Sequence, residues 1–164
     1  MGSRAVVESL LACWRVQDVE MAMAHAADDI VYTLFISETA LPFAGETRGK
    51  TNLRNVLYTI LADFDYLQYE PTIVAVEDDV VRVQVQFTYH HRPSGGNLAG
   101  SKRMVMTVEN DLITRIDEFH DARMVETFMR LAAQRTRDGK VQPPELPPAS
   151  TQPATGTTRV EPSS

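Results

Sequence analysis

The chain has 164 residues, 43% hydrophobic and 23% charged, which is the make-up of one globular domain; two domains would each be marginal. Its formal net charge of −6, with no run of Lys and Arg, argues against nucleic acid and anionic membrane surfaces as partners. No apolar stretch approaches the roughly 20 residues of a membrane span. The N-terminus lacks a signal-peptide pattern, so the cytoplasm is the expected setting. The one cysteine, Cys13, permits no internal disulfide and reads as a small buried hydrophobe.

Val6, Val7, Leu10, Leu11 and Trp14 recur at spacings of three and four and predict a first helix over Ser3 to Arg15. Asp18 suits the N-cap of a short second helix, Val19 to Ala27. After Asp28-Asp29, the β-branched and aromatic run Ile30 to Ile36 predicts a strand. Ser37 to Gly49, with Pro42, Gly45 and Gly49, reads as a loop or short hairpin. Thr51 is the expected cap of a third helix, carrying Leu53, Val56, Leu57, Ile60, Leu61 and Phe64 on one face.

Four strands follow: Leu67 to Glu77, Val80 to Arg92, Leu98 to Glu109 and Leu112 to His120. Val81, Val83, Val85, Phe87 and Tyr89 alternate with polar residues in the second of these, and Met104, Met106 and Val108 share a face in the third. Long alternating strands joined by tight turns at Asp78-Asp79, Pro93 to Asn97 and Asn110-Asp111 predict a bent, largely antiparallel sheet. Asp121 opens a last helix with Val125, Phe128, Met129 and Ala132 on its apolar side. Six of the nine prolines fall after Asp138. Residues 1–137 therefore read as the domain, and 138–164 as a disordered tail rich in Pro, Ser and Thr.

This order of elements resembles the nuclear transport factor 2-like superfamily, and within it the SnoaL-like group. The stretches that carry the resemblance are Asp28-Asp29-Ile30-Val31-Tyr32, Pro42 to Lys50, and the terminal hairpin from Val108 to Asp121. They span about residues 5–133. The resemblance implies an α+β cone: a strongly curved mixed or antiparallel sheet packed on three helices of the N-terminal half, around a deep apolar pocket. It also implies pairing into a homodimer through the outer face of the sheet.

Chemistry in such a pocket generally uses a carboxylate in a dry place, where burial raises its pKa and makes it a useful general base or acid near neutral pH. Matched on the terminal hairpin, Glu118 falls at the catalytic aspartate position of SnoaL-type cyclases and of limonene-epoxide hydrolases. Alternation puts Ile116, Glu118 and His120 on one face, so His120 is available to pair with Glu118, though the strand end suggests a place on the rim. Tyr32 falls at a polar pocket position of the cyclases and reads as a hydrogen-bond donor to substrate. The cyclases' second catalytic residue, a histidine, corresponds to Met104 here, and the isomerases' general base corresponds to Leu34. Arg103 suits the hydrolases' arginine by type but is one residue out of phase.

The expected ligand surface is Trp14, Leu34, Met104, Met106 and Ile116, with His120. His90 and His91 are adjacent in a strand and point to opposite faces; which of them meets the pocket is left open. Neither a metal nor a cofactor is expected, because no ligand pairing or phosphate-binding glycine loop occurs. The chain thus reads as a pocket enzyme with Glu118 as the proton-transfer group and Tyr32 orienting substrate or stabilising developing charge. It would isomerise, cyclise, dehydrate or open an epoxide in a small apolar compound. The alternative is a non-catalytic binding or dimer-assembly module of the same fold, favoured by Leu34 and Met104 where relatives keep catalytic residues.

Overall fold

The apolar stripe of the first helix, α1 (Ser3–Arg15), is buried along its length at Val6, Val7, Leu10, Leu11 and Trp14. The computed structural model describes residues 2–139, so residues 140–164 of the expected tail lie outside the described residues. Helix α2 (Val19–Met23) is capped by Asp18, whose carboxylate accepts from the Met21 amide at 3.1 Å. It stops four residues short of the expected Ala27. The chain there is drawn into the sheet: His25 accepts from the Ile113 amide at 2.8 Å, and Ala26 pairs with Ile113. Strand β1 (Ala26–Phe35) therefore starts before the acidic pair. Its register shifts between Ala26 and Val31, and the exposed Asp28 and Asp29 occupy that irregular stretch.

The expected loop contains a short strand, β2 (Gly45–Arg48), antiparallel to β1. Helix α3 (Lys50–Asp63) starts one residue earlier than Thr51 and has no side-chain cap; Gly49 takes the N-cap position at φ 88, a left-handed conformation open to glycine. Of its predicted apolar face Leu53 and Leu57 are buried within the helix and Phe64 at the start of the next strand, while Ile60 packs on the core and borders both cavities. Strands β3 (Phe64–Glu77), β4 (Val80–His91), β5 (Gly96–Glu109) and β6 (Leu112–Phe119) follow, then α4 (Ala122–Arg137), whose cap Asp121 accepts from the Met124 amide.

The six strands lie in one open sheet in the order β2-β1-β6-β5-β4-β3. All neighbours are antiparallel except β1 and β6, which run parallel, so the sheet is mixed. Register shifts in β3 at Tyr66/Gln68 and Ile73/Ala75, and in the β5–β6 pairing at Thr107/Val108, bend the sheet toward the helices. Alternation holds as expected. Val81, Val83, Val85, Phe87, Tyr89 and His91 of β4 are buried on the concave face.

Helix α4 seats on a strip of β5 cleared by glycine. A Cβ at Gly100 would lie 2.7 Å from the Met124 methyl, and one at Gly96 3.2 Å from the Phe128 ring. Met124 and Phe128 lie one helical turn apart on the face of α4 that meets β5. Gly100→Val should cost about 1–3 kcal/mol through overpacking, read as a lower unfolding midpoint. Gly100→Ala should cost little, because the Met124 methyl can swing aside. Equal midpoints for the valine variant and the parent would rule out this seating.

Candidate active site

Glu118 lies on β6 between two apolar neighbours: Leu34 of β1 on one side and Met104 of β5 on the other. Its polar partners come from the diagonal positions, which long side chains can reach across a sheet. Lys102 sits two residues from Met104, Tyr32 two residues from Leu34, and His120 two residues along the same chain. The Lys102 ammonium donates to Glu118 Oε1 at 2.9 Å. The Tyr32 hydroxyl donates to Oε2 at 3.0 Å, and His120 Nε2 contacts the same oxygen at 3.0 Å. The Lys102, Glu118 and His120 side chains are 4%, 8% and 8% exposed, so this network is shielded from water.

The charges follow from those contacts. Burial pushes the Glu118 carboxyl up, but the Lys102 ammonium and the His120 contact outweigh it and hold the group well below the usual carboxylate range. Burial likewise pulls Lys102 down, and Glu118 outweighs it, so the amine stays charged above its ordinary value. A permanently protonated lysine is no imine-forming nucleophile. Burial, and then the neighbouring Glu118 charge, raise the Tyr32 phenol well above its ordinary value and keep it a donor.

An ionised carboxylate only accepts, so the Nε2 of a neutral His120 must carry the hydrogen and Nδ1 the lone pair. That Nδ1 is buried and has no partner.

Two apolar chambers meet at this network. The inner one is walled by Leu10, Trp14, Met23, Leu53, Leu57 and Met104, among others, and is reached by Tyr32 and Tyr69. The outer one lies under α4 and the loop before β2, walled by Leu34, Leu41, Phe43, Leu98, Val125 and Met129, with Tyr89 and His120. Ile60, Tyr66, Lys102 and Glu118 line both. In each chamber about 50 Å³ is open to the centre of a water-sized sphere. That is several times the roughly 10–15 Å³ a single water needs.

Of the residues expected at the site, Trp14, Tyr32, Met104, Ile116 and Glu118 border the inner chamber, and Leu34, Glu118 and His120 the outer. Met106 is fully buried in the core and lines neither chamber. Tyr32 does border the cavity, but its hydrogen is committed to Glu118 rather than free for a ligand. His120 is drawn inside from the expected rim by its bond to Glu118. Of the two adjacent histidines, His91 is the buried one: Ser94 Oγ lies 2.7 Å from its Nδ1, and the ring packs on Phe64 and Phe128, away from both chambers. His90 contacts Asn97 at the surface.

Lys102 was not anticipated. Its signal lay in the phase of β5, where it shares the face of Leu98, Met104 and Met106; Arg103, the basic residue suggested by type, points outward. Among the described residues no three His, Cys, Asp or Glu side chains come together as a metal site, and no helix is long and apolar enough to cross a membrane.

Tyr32→Phe removes one donor from the buried carboxylate. It should lower the unfolding free energy by about 1.5–3 kcal/mol, the range for a hydrogen bond to a charged group, as read by denaturant titration. An unchanged midpoint would mean that the phenol does not hold Glu118.

The family model described as a SnoaL-like domain matches residues 7–116, more than half of the chain; the match ends just before Glu118 and His120. No curated protein matches at a significant level. Solved structures share the fold at low identity. A nuclear transport factor 2-like protein from Burkholderia thailandensis superposes with a TM-score of 0.69 at 21% identity, covering 79% of this chain and 98% of its own. A candidate SnoaL-like polyketide cyclase from Mesorhizobium loti gives 0.63 at 18%, covering 73% and 100%. TerC, co-crystallised with polyporic acid, gives 0.67 at 15%, covering 78% and 98%.

Proposed function

Since this chain belongs to the SnoaL-like domain family, we propose that it is a pocket enzyme catalysing proton transfer in a small, largely apolar carbonyl compound. The reaction is an isomerisation or cyclisation by acid–base chemistry. One observation carries this reading: a buried His120 Nδ1 without a partner, on a ring that borders an apolar chamber and whose other nitrogen is bonded to an ionised Glu118.

In this reading His120 Nδ1 removes a proton from the carbon beside a carbonyl. The C–H pair becomes the new C=C bond, and the carbonyl π pair moves to oxygen. The Lys102 ammonium, with one hydrogen on Glu118, lines both chambers, where it can counter the resulting enolate charge. Return of the proton to a different carbon isomerises the compound; attack of the enolate carbon on a second carbonyl closes a ring. Glu118 and Tyr32 are positioning groups, Glu118 fixing the tautomer of His120 and Tyr32 fixing Glu118. Glu118 is a weak base here because Lys102 so strongly favours its ionised form.

Two features support a small organic ligand: the apolar walls and the polyporic acid co-crystallised with TerC. Homodimer formation and a cytoplasmic setting belong to the same reading. Val74 and Val76, exposed together on the edge strand β3, favour the dimer, and a monomeric mass by light scattering would remove that part.

The test is exchange of the α-hydrogens of 2-tetralone for deuterium in D2O, followed by proton NMR. Wild-type protein should accelerate exchange above buffer, and His120→Ala should not. Exchange no faster than buffer would leave the second reading, a binding module. What favours that reading is that protein groups already engage both oxygens of Glu118.

A further inference from the structure

A bicyclic ligand reaches the outer chamber only if part of the wall moves, since Leu34, Leu41, Leu98 and Val125 of that wall are buried. The strands are hydrogen-bonded to their neighbours, and α4 is seated on the glycine strip of β5. The segment 37–44 is held differently, because its hydrogen bonds run within itself. The Ala40 and Leu41 amides donate to the Ser37 carbonyl, and the Ala44 amide donates to the Leu41 carbonyl. The Ser37 hydroxyl lies 2.7 Å from that of Thr39 and accepts from the Thr39 amide. Among the described residues, no hydrogen bond or ion pair joins 37–44 to another segment.

Both ends of the segment meet at one residue of β1. The Ile36 amide donates to the Leu34 carbonyl at 2.9 Å, and Gly45, at φ 82, pairs with Leu34. A compact loop whose ends lie together can turn as a unit. Apolar contact alone holds it down: Leu41 and Ala44 are each 7% exposed, and Phe43 packs against the core. Leu41 and Phe43 are themselves wall residues of the outer chamber.

Surface grooves flank the segment on both sides. One runs between Thr39 and Ala40 on one bank and Met129 and Arg130 of α4 on the other. The second runs between Pro42 and Phe43 and the α3 residues Asn52 and Val56. At each flank one side chain borders both groove and chamber: Met129 toward α4 and Phe43 toward α3. We propose that residues 37–44 form a flap that turns about Leu34 and Gly45 to admit apolar ligands to the outer chamber, with Phe43 as its plug. The flap rests on the chambers being a ligand site and is independent of the proton transfer.

Stopped-flow fluorescence of 2-naphthol with the full chain reads entry and exit. In Phe43→Ala both rates should rise by about tenfold while their ratio, the Kd, shifts by less than about threefold, the signature of a gate rather than a contact. Met129→Ala, on the opposite flank, should leave both rates within about twofold. Hydrogen exchange of wild-type protein gives a second measure. The amides of Ala40, Leu41 and Ala44 should exchange at least about 100-fold faster than those of β1, and saturating 2-naphthol should slow them.

Unchanged association in Phe43→Ala would overturn the proposal and leave Phe43 an ordinary wall residue. Faster association in Met129→Ala alone would overturn it too and put the entrance at α4. Flap amides as protected as those of β1 would decide against it even where Phe43→Ala does not fold, and so would wild-type protein that binds no 2-naphthol. The proton-transfer reading fails separately: gated binding of 2-naphthol without 2-tetralone exchange keeps the flap and removes the catalysis.

Discussion

Lys102→Met should lower the unfolding free energy by about 3–5 kcal/mol at neutral pH, the usual effect of stripping the partner from a buried charge. The variant leaves Glu118 in an apolar cavity with only Tyr32 and His120 as partners. Its pH dependence should reverse. In the parent, Lys102 holds Glu118 below its unfolded value, so the carboxylate's contribution is complete above the ordinary carboxylate range and is lost as pH falls through the lower folded value. In Lys102→Met the burial effect prevails and the folded value rises above the unfolded one. Stability is then greatest in acid and declines as pH rises through that raised value. The double variant Lys102→Met with Glu118→Gln removes both charges and should regain most of the loss, because replacing a whole buried ion pair is often neutral. Denaturant titrations from about pH 5 to 8 read all three effects. A single variant as stable as the parent, with the parent's pH profile, would mean that the ion pair is not formed.

The second large effect is on turnover. His120→Ala should slow α-hydrogen exchange of 2-tetralone by about 10²–10⁴, the usual share of a general base. Glu118→Gln tests the orienting role separately. A carboxylate accepts only, which keeps the hydrogen on Nε2 and Nδ1 bare. An amide can donate to Nε2, which allows the hydrogen to move to Nδ1 and close the base. The loss should approach that of His120→Ala, as when the orienting carboxylate of a serine protease becomes an amide and kcat drops by about 10⁴. Both variants should be assayed well below their melting temperatures, since Glu118→Gln strands the Lys102 charge. A Glu118→Gln enzyme with full turnover would detach the carboxylate from the chemistry.

The sheet was legible because its strands are long and their alternation unbroken. Val81 to Tyr89 fixed the concave face of β4, and Ile116, Glu118 and His120 could be assigned to one side of β6 before any coordinates. Helix α1 and the caps Asp18 and Asp121 were equally plain, since their signals are local. The misreadings arose where distant backbone took control. Pairing with Ile113 ends α2 early, and pairing across β4 lengthens β3 and β5 at Phe64 and Gly96.

The site was half legible for a related reason. Glu118 stood out through the resemblance of the terminal hairpin, which puts it where SnoaL-type cyclases keep a catalytic aspartate. Lys102 shares the phase of Met104 and Met106, but a charged residue on that face reads as solvated until its counter-charge is known, and that counter-charge is 16 residues away on another strand.

The central claim is that Glu118 is a fixed anion that holds His120 with its Nδ1 bare. Long-range nitrogen–proton NMR of the histidine rings, recorded on uniformly ¹⁵N-labelled protein at neutral pH, reads this directly. His120 should show a protonated Nε2 and a lone-pair Nδ1, and Glu118→Gln should disturb that pattern. A proton resident on Nδ1, with Nε2 bare, would contradict the account.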